Sequence, residues 1–147
     1  MSYVREAIDP NGTLPQVDFN VYKVQNHDGY GVVREQAQIM TGSLVVGTCD
    51  LITLSPPYER KMHFDGITVE DEHIGDGYGL GAYVAAIERA HDRGLPFATQ
   101  ESTQSIHAKR IWELLAARGV AVVIEEFRDS IYEGKFEGKY IVPILGS

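Results

Sequence analysis

The sequence predicts one mixed α/β domain with its elements in the order β-β-β-β-α-β-α-β-β. Three observations carry that expectation. Apolar and polar residues alternate with a period of 2 in the first half, the period lengthens to 3.6 across two later segments, and β-branched runs return near the end. A chain of 147 residues is expected to make a single domain over 1–147, with 1–16 as an irregular lead-in. Its 44% hydrophobic and 23% charged residues are ordinary for a globular domain and argue against disorder or a fibrous architecture.

Asp9-Pro10-Asn11-Gly12 is a turn signal with Pro15 just after it, so order is expected to begin near Val17. Val17, Phe19 and Val21 then alternate with Asp18, Asn20 and Tyr22 as a half-buried strand, closed by the turn signal Asn26-His27-Asp28-Gly29. Tyr30 to Met40 is a second strand. Leu44 to Ser55 is a third, in which Gly47 marks a bulge or a close backbone approach, and Pro56-Pro57 ends it. A fourth strand, Lys61 to Glu70, carries Met62, Phe64, Ile67 and Val69.

Leu80 to Arg93 places Leu80, Tyr83, Val84, Ile87 and Ala90 on one helical stripe, with Gly94 as its stop. Leu95 to Gln100 is a short strand. Ser105 to Arg118 is a second helix with Ile111, Leu114 and Leu115 inward. Val120 to Phe127 and Lys139 to Leu145 form the last, antiparallel pair, joined through turns at Glu133-Gly134-Lys135 and Glu137-Gly138.

Charge and cysteine content narrow the function. Thirteen basic against 21 acidic residues give a formal charge of −8, which opposes binding to nucleic acid or anionic lipid. The single cysteine, Cys49, excludes an intramolecular disulfide and cysteine-pair zinc sites, which points to a cytoplasmic protein. No segment has the roughly 20 apolar residues that span a bilayer, and no signal peptide is evident, so no membrane partner is expected.

The most informative stretch runs from Ile67 to Ala82, a strand passing through a glycine-dense turn into a helix. Gly75, Gly77, Gly79 and Gly81 stand at alternate positions. Glycines let backbone N–H groups converge without Cβ obstruction, and the helix N-terminus adds unpaired donors and partial positive charge. Together these suit a phosphate or pyrophosphate. The plainer alternative is a tight strand-to-helix turn in which Gly81 merely permits close packing. Gly77 to Ala82 also fits the dinucleotide pattern G-x-G-x-x-G/A, with Glu101 where a ribose-binding acid is expected, but four strands precede the loop where one normally does. A P-loop fails because no Gly-Lys-Ser/Thr follows.

These residues resemble the GNAT superfamily of acyl-CoA-dependent N-acyltransferases. That family's signature is a strand ending in Val, a short acidic turn, Arg/Gln-x-x-Gly-x-Gly/Ala, and an amphipathic helix closing at Gly. In register from Val69 the sequence supplies Gly75-Asp76-Gly77-Tyr78-Gly79, then Ala82, Tyr83, Ala86, Ile87, Ala90 and Gly94. Phe97 to Gln100, Ser105-x-x-Ala108 and Gly119-Val120 continue the likeness, which covers about Gly42 to Phe127. The resemblance implies a single-domain GNAT-like mixed sheet with a V-shaped opening between the fourth and fifth strands. It also implies N-acyltransferase activity: direct attack of a primary amine on acetyl-CoA, or another acyl-CoA, within a ternary complex. Val69, Gly75, Asp76, Gly77, Tyr78, Gly79, Leu80 and Ser105 would then hold the acyl-CoA. Ile74 stands where the family usually has Arg or Gln, and Trp112 where it often has the tyrosine that protonates the departing thiolate. The two helices that many members place after the first strand are missing or very short.

Acyl transfer to an amine needs a base and donors for the oxyanion, the latter expected from backbone near Val69. Glu70, Glu72 and His73 are the candidate catalytic residues, with Asp71 beside them; His73 is favoured because imidazole titrates near neutrality. His63 and Asp65 share a strand face, expected to be outer and polar. His91 and His107 need only be exposed on their helices. Tyr78, Tyr132 and Tyr140 are candidate replacements for the absent tyrosine. The histidine spacing shows no metal motif, and no metal site is expected. The acceptor amine carries no readable signature, although net acidity suits a cationic one. Oligomeric state is left open, a homodimer included. Two other functions use the same features: a catalytically silent GNAT-fold module that binds a protein, and a nucleotide or dinucleotide binder.

Overall fold

Four strands follow from the early alternation: β1 (Asp18–His27), β2 (Val32–Thr41), β3 (Leu44–Leu54) and β4 (Lys61–Val69), each antiparallel to the next. The structure is a computed structural model and describes residues 2–27, 31–100, 104–129 and 135–144. In β2 the buried residues Glu35, Ala37 and Ile39 alternate with half-buried ones, the signature of a strand with one face on the core. Gly47 serves both anticipated purposes. The β2–β3 register slips next to it, and a Cβ there would stand 2.2 Å from the Thr68 carbonyl oxygen of β4.

The 3.6-period segments form α2 (Tyr78–Asp92) and α3 (Ile106–Ala117). Helix α2 buries Ala82, Tyr83, Val84, Ala86, Ile87 and Ala90. Helix α3 is capped by Ser105, whose side chain accepts from the Ala108 amide, and it buries Ile111, Trp112 and Leu115. The remaining strands are β5 (Phe97–Ala98), β6 (Gln104–Ser105), β7 (Val122–Asp129) and β8 (Lys135–Val142). They complete an eight-stranded sheet of order β1-β2-β3-β4-β5-β8-β6, with β7 on β8. This is the mixed α/β sheet with a β4-α-β5 crossover that the sequence predicts.

Strands β4 and β5 run parallel and touch at one register pair, Met62 with Phe97. Beyond that pair β4 stays with β3 as far as Val69, whereas β5 turns to β8 through Phe97–Val142 and Ala98–Ile141. The two parallel strands therefore diverge, which opens the expected V. Its floor is aromatic: Phe64 lies edge-on to Tyr83 and Phe97, and Trp112 stacks on Phe97 with centroids 6.0 Å apart.

Four expectations need correction. The irregular lead-in contains a helix, α1 (Tyr3–Ile8), capped by Ser2 and anchored by buried Val4 and Ile8. The fifth strand is two residues rather than six, because the chain leaves β4 where the V opens. Strand β6, unforeseen, joins the sheet next to β8. The last strand begins at Lys135, so Glu137 and Gly138 lie within it instead of forming a turn; a Cβ at Gly138 would stand 2.9 Å from the Phe127 ring, so this glycine answers to packing. Gly134 lies outside the described residues, as does most of the expected connecting turn.

Candidate functional site

The glycine stretch leaves β4, makes one turn of 3-10 helix at Asp71–His73, and enters α2 through Gly77. Gly77 caps α2 with φ 87°, a left-handed backbone that Cβ-bearing residues avoid. Its carbonyl receives the Gly81 amide at 2.9 Å, the first bond of the helix. Among the described residues, the amides of Gly75, Gly77, Tyr78, Gly79 and Leu80 find no acceptor in the protein. Some are the orphan donors of a helix start, and the loop adds others beside them.

These amides border a cavity of about 610 Å³ between the end of β4 and the start of α3. Val69, His73, Gly75, Gly77, Tyr78, Gly79, Leu80 and Ser105 line it, as do Tyr83, His107 and Ile111. Two helix N-termini, those of α2 and α3, thus meet at one hollow, and both present partial positive charge there. Gly81 is turned away, against Val17 and Pro15, so its role is the close packing of the plainer reading.

Of the expected catalytic residues, His73 lines the cavity while Glu70 and Glu72 are exposed and lie outside its lining. The short helical turn explains the separation, since consecutive side chains there point in different directions. The three are nevertheless neighbours, with potential ligand atoms all within 4.8 Å of one another. His73 sets its ring edge-on to Tyr78 at 5.6 Å, and its Nε2, buried and without a hydrogen bond, lies 3.6 Å from a Glu72 carboxylate oxygen. Asp76 is exposed and outside the lining.

Two residues escape sequence reasoning. A Cβ on Gly79 would stand 2.6 Å from His107 Nε2, so the imidazole lies directly over the first turn of α2. No spacing rule reveals that, because the contact joins two helices. Tyr83, read as a stripe residue, lines the cavity and also the gap at the base of the V, beside Phe64, Thr99 and Gln100. Its ring meets Trp112 edge-on with centroids 5.8 Å apart, and burial raises the phenol pKa above its ordinary value. Trp112 itself is core.

Gln100 links this gap to a groove of about 570 Å³ lined by Arg34, Tyr58, Glu59, Lys61, His63 and Asp65. Asp65 is exposed there and paired with Arg34, whereas His63, expected on an outer face, is buried. The Phe64 carbonyl accepts from His63 Nδ1 at 2.8 Å, which places a proton on that nitrogen. Tyr140 is buried against Trp112 and Phe127, and His91 stacks on Tyr3. Tyr132 and Glu101 lie outside the described residues. Cys49 is buried and its thiol pushed up to about 12, chiefly by that burial, so it is no nucleophile. No helix among the described residues is long and apolar enough to cross a membrane.

No family model matches the chain, and no curated protein matches it. Solved structures do. An acetyltransferase from Thermus thermophilus aligns with 17% identity and a TM-score of 0.49, covering 80% of this chain and 67% of that one. The GNAT domain of S. lividans PAT aligns with 16% identity and a TM-score of 0.43, covering 80% of this chain and 64% of that one.

Proposed function

We propose that the chain is an acyl-CoA-dependent N-acyltransferase. The observation that carries this reading is the row of unpaired amides, Gly75 and Gly77 to Leu80, bordering a cavity of about 610 Å³ that extends towards the splayed strands. Main-chain donors at a helix start suit a diphosphate, and a long hollow beyond them suits the arm that carries a thioester. A dinucleotide binder fits less well, because the loop follows the fourth strand and, among the described residues, β4 and β5 are the one parallel pair.

The amine nitrogen attacks the thioester carbon, the C–S bond breaks, a base takes the ammonium proton and an acid protonates the leaving thiolate. Backbone donors near Val69 stabilise the oxyanion. His73 is the base in this reading, with Glu70 and Glu72 next to it at the surface. Tyr83 is the acid: it lines the cavity, and its raised pKa keeps it protonated at neutral pH. The acceptor enters from the groove that meets the gap beside Tyr83 at Gln100, where Arg34 and Lys61 offset Glu59 and Asp65, so the charge of the lining selects no class of amine. A cytoplasmic setting accords with the buried, unpaired Cys49.

Calorimetry with acetyl-CoA, CoA, NAD and ATP tests the reading. Micromolar binding restricted to the CoA species is expected, with loss of binding in Gly77→Glu while the circular dichroism spectrum is retained. Absence of CoA binding by the parent protein overturns it and leaves the silent, protein-binding alternative.

A further inference from the structure

We infer that His107 is the cationic contact to the diphosphate, supplied from α3 across the cavity, and that it makes the grip on the ligand pH-dependent. The inference rests on the acyl-CoA reading and deepens it. The loop's one group able to carry positive charge is His73, which this reading uses as the base; Ile74 is apolar and 65% exposed, and Asp71 and Asp76 are acidic. Five backbone donors alone would face a diester carrying two negative charges, with Asp71 lining the same hollow.

His107 fills that deficit by position. It is on the first turn of α3, and its Nε2 reaches to 2.6 Å from where a Gly79 Cβ would stand. The absence of a side chain at Gly79 is what admits the ring. Among the described residues no hydrogen bond or ion pair holds this imidazole to the protein, and the residue is exposed at the cavity wall. A phosphate oxygen received by the Tyr78 and Gly79 amides therefore lies within reach of Nε2, which as imidazolium donates a charge-assisted hydrogen bond. The other titratable groups facing the hollow are Asp71 and His73 from the turn and Tyr78 and Tyr83 from α2. Of these only His73 is also an imidazole, the side chain whose charge changes between about pH 5 and pH 8, so it is the necessary control.

The probe is dephospho-CoA, whose diphosphate diester keeps a constant charge over the range used, titrated calorimetrically at about pH 6 and about pH 8.5. The parent protein is expected to bind about tenfold more tightly at the lower pH. His107→Gln should bind weakly and equally at both, His107→Arg tightly at both, and His73→Gln should keep the parent's pH dependence. Equal affinity at the two pH values, with His107→Gln indistinguishable from the parent, overturns the role of His107 and leaves the acyl-CoA reading standing. A pH dependence that survives in His107→Gln and vanishes in His73→Gln also overturns it. Failure of the parent to bind dephospho-CoA at either pH overturns both.

Discussion

Gly77 and Gly79, two positions apart, are constrained for different reasons, and substitution separates them. Gly77 needs its left-handed φ of 87°, so Gly77→Ala strains the helix cap and is expected to cost about 1 kcal/mol in chemical denaturation. Gly79 has ordinary helical backbone, so alanine there gains as much as about 1 kcal/mol of helix propensity. The new Cβ must, however, displace the His107 ring. Gly79→Ala is therefore expected to melt no lower than the parent and yet bind CoA several-fold more weakly, a split that thermal melts and calorimetry on one sample reveal. A second residue-scale prediction concerns Glu35, a buried carboxylate held by Arg89 at 3.0 Å and Arg93 at 2.9 Å. Burial raises its pKa, but the hydrogen bonds from Arg93 and Arg89 outweigh this and leave it below the ordinary glutamate value. A depressed folded-state pKa stabilises the fold above the unfolded-state value, and that contribution disappears as pH falls through the folded one. Glu35→Gln should accordingly cost about 1 to 2 kcal/mol at pH 7, because the arginines are partly solvated. The deficit should shrink as pH falls through that lowered folded-state value, measured by urea unfolding at a series of acid pH values.

Elements are legible in the sequence where a period runs long enough to be counted. Strands β1 to β4 and helices α2 and α3 show it over ten residues or so. Helix α1 does not: its six residues hold just two i, i+4 pairs, Tyr3 with Ala7 and Val4 with Ile8, and the turn signal at Asp9 to Gly12 masks them. What holds α1 is tertiary. Ser2 donates to Glu88 of α2 at 2.7 Å, Arg5 pairs with the same carboxylate, and Val4 is fully buried. Val4→Ala is expected to cost about 2 kcal/mol in denaturant unfolding. Strand β8 misleads in a related way, since its glycine signals a turn to local reasoning although the neighbouring Phe127 ring is what requires it. Strand β5 is short for a reason no local rule contains, namely the divergence of the sheet at that point.

At the scale of the molecule, the order of strands and the position of the glycine loop after the fourth can be read in advance, because both depend on sequence order alone. The composition of the site can be read only in part. Residues consecutive with the loop, from Val69 to Leu80, are found in the sequence, and most of them line the cavity. His107 and Tyr83 are not, since each acquires its place from the packing of α3 against α2 and of α2 against the sheet. The same divergence of β4 and β5 that shortens the fifth strand connects the loop cavity, past Tyr83 and Gln100, to the groove on the other side. The most direct test follows the backbone amides themselves by nitrogen-proton correlation spectra during titration with CoA. The account predicts saturable shifts concentrated at Gly75, Gly77, Tyr78, Gly79 and Leu80. Shifts confined to other parts of the chain, or none at saturating ligand, would contradict it.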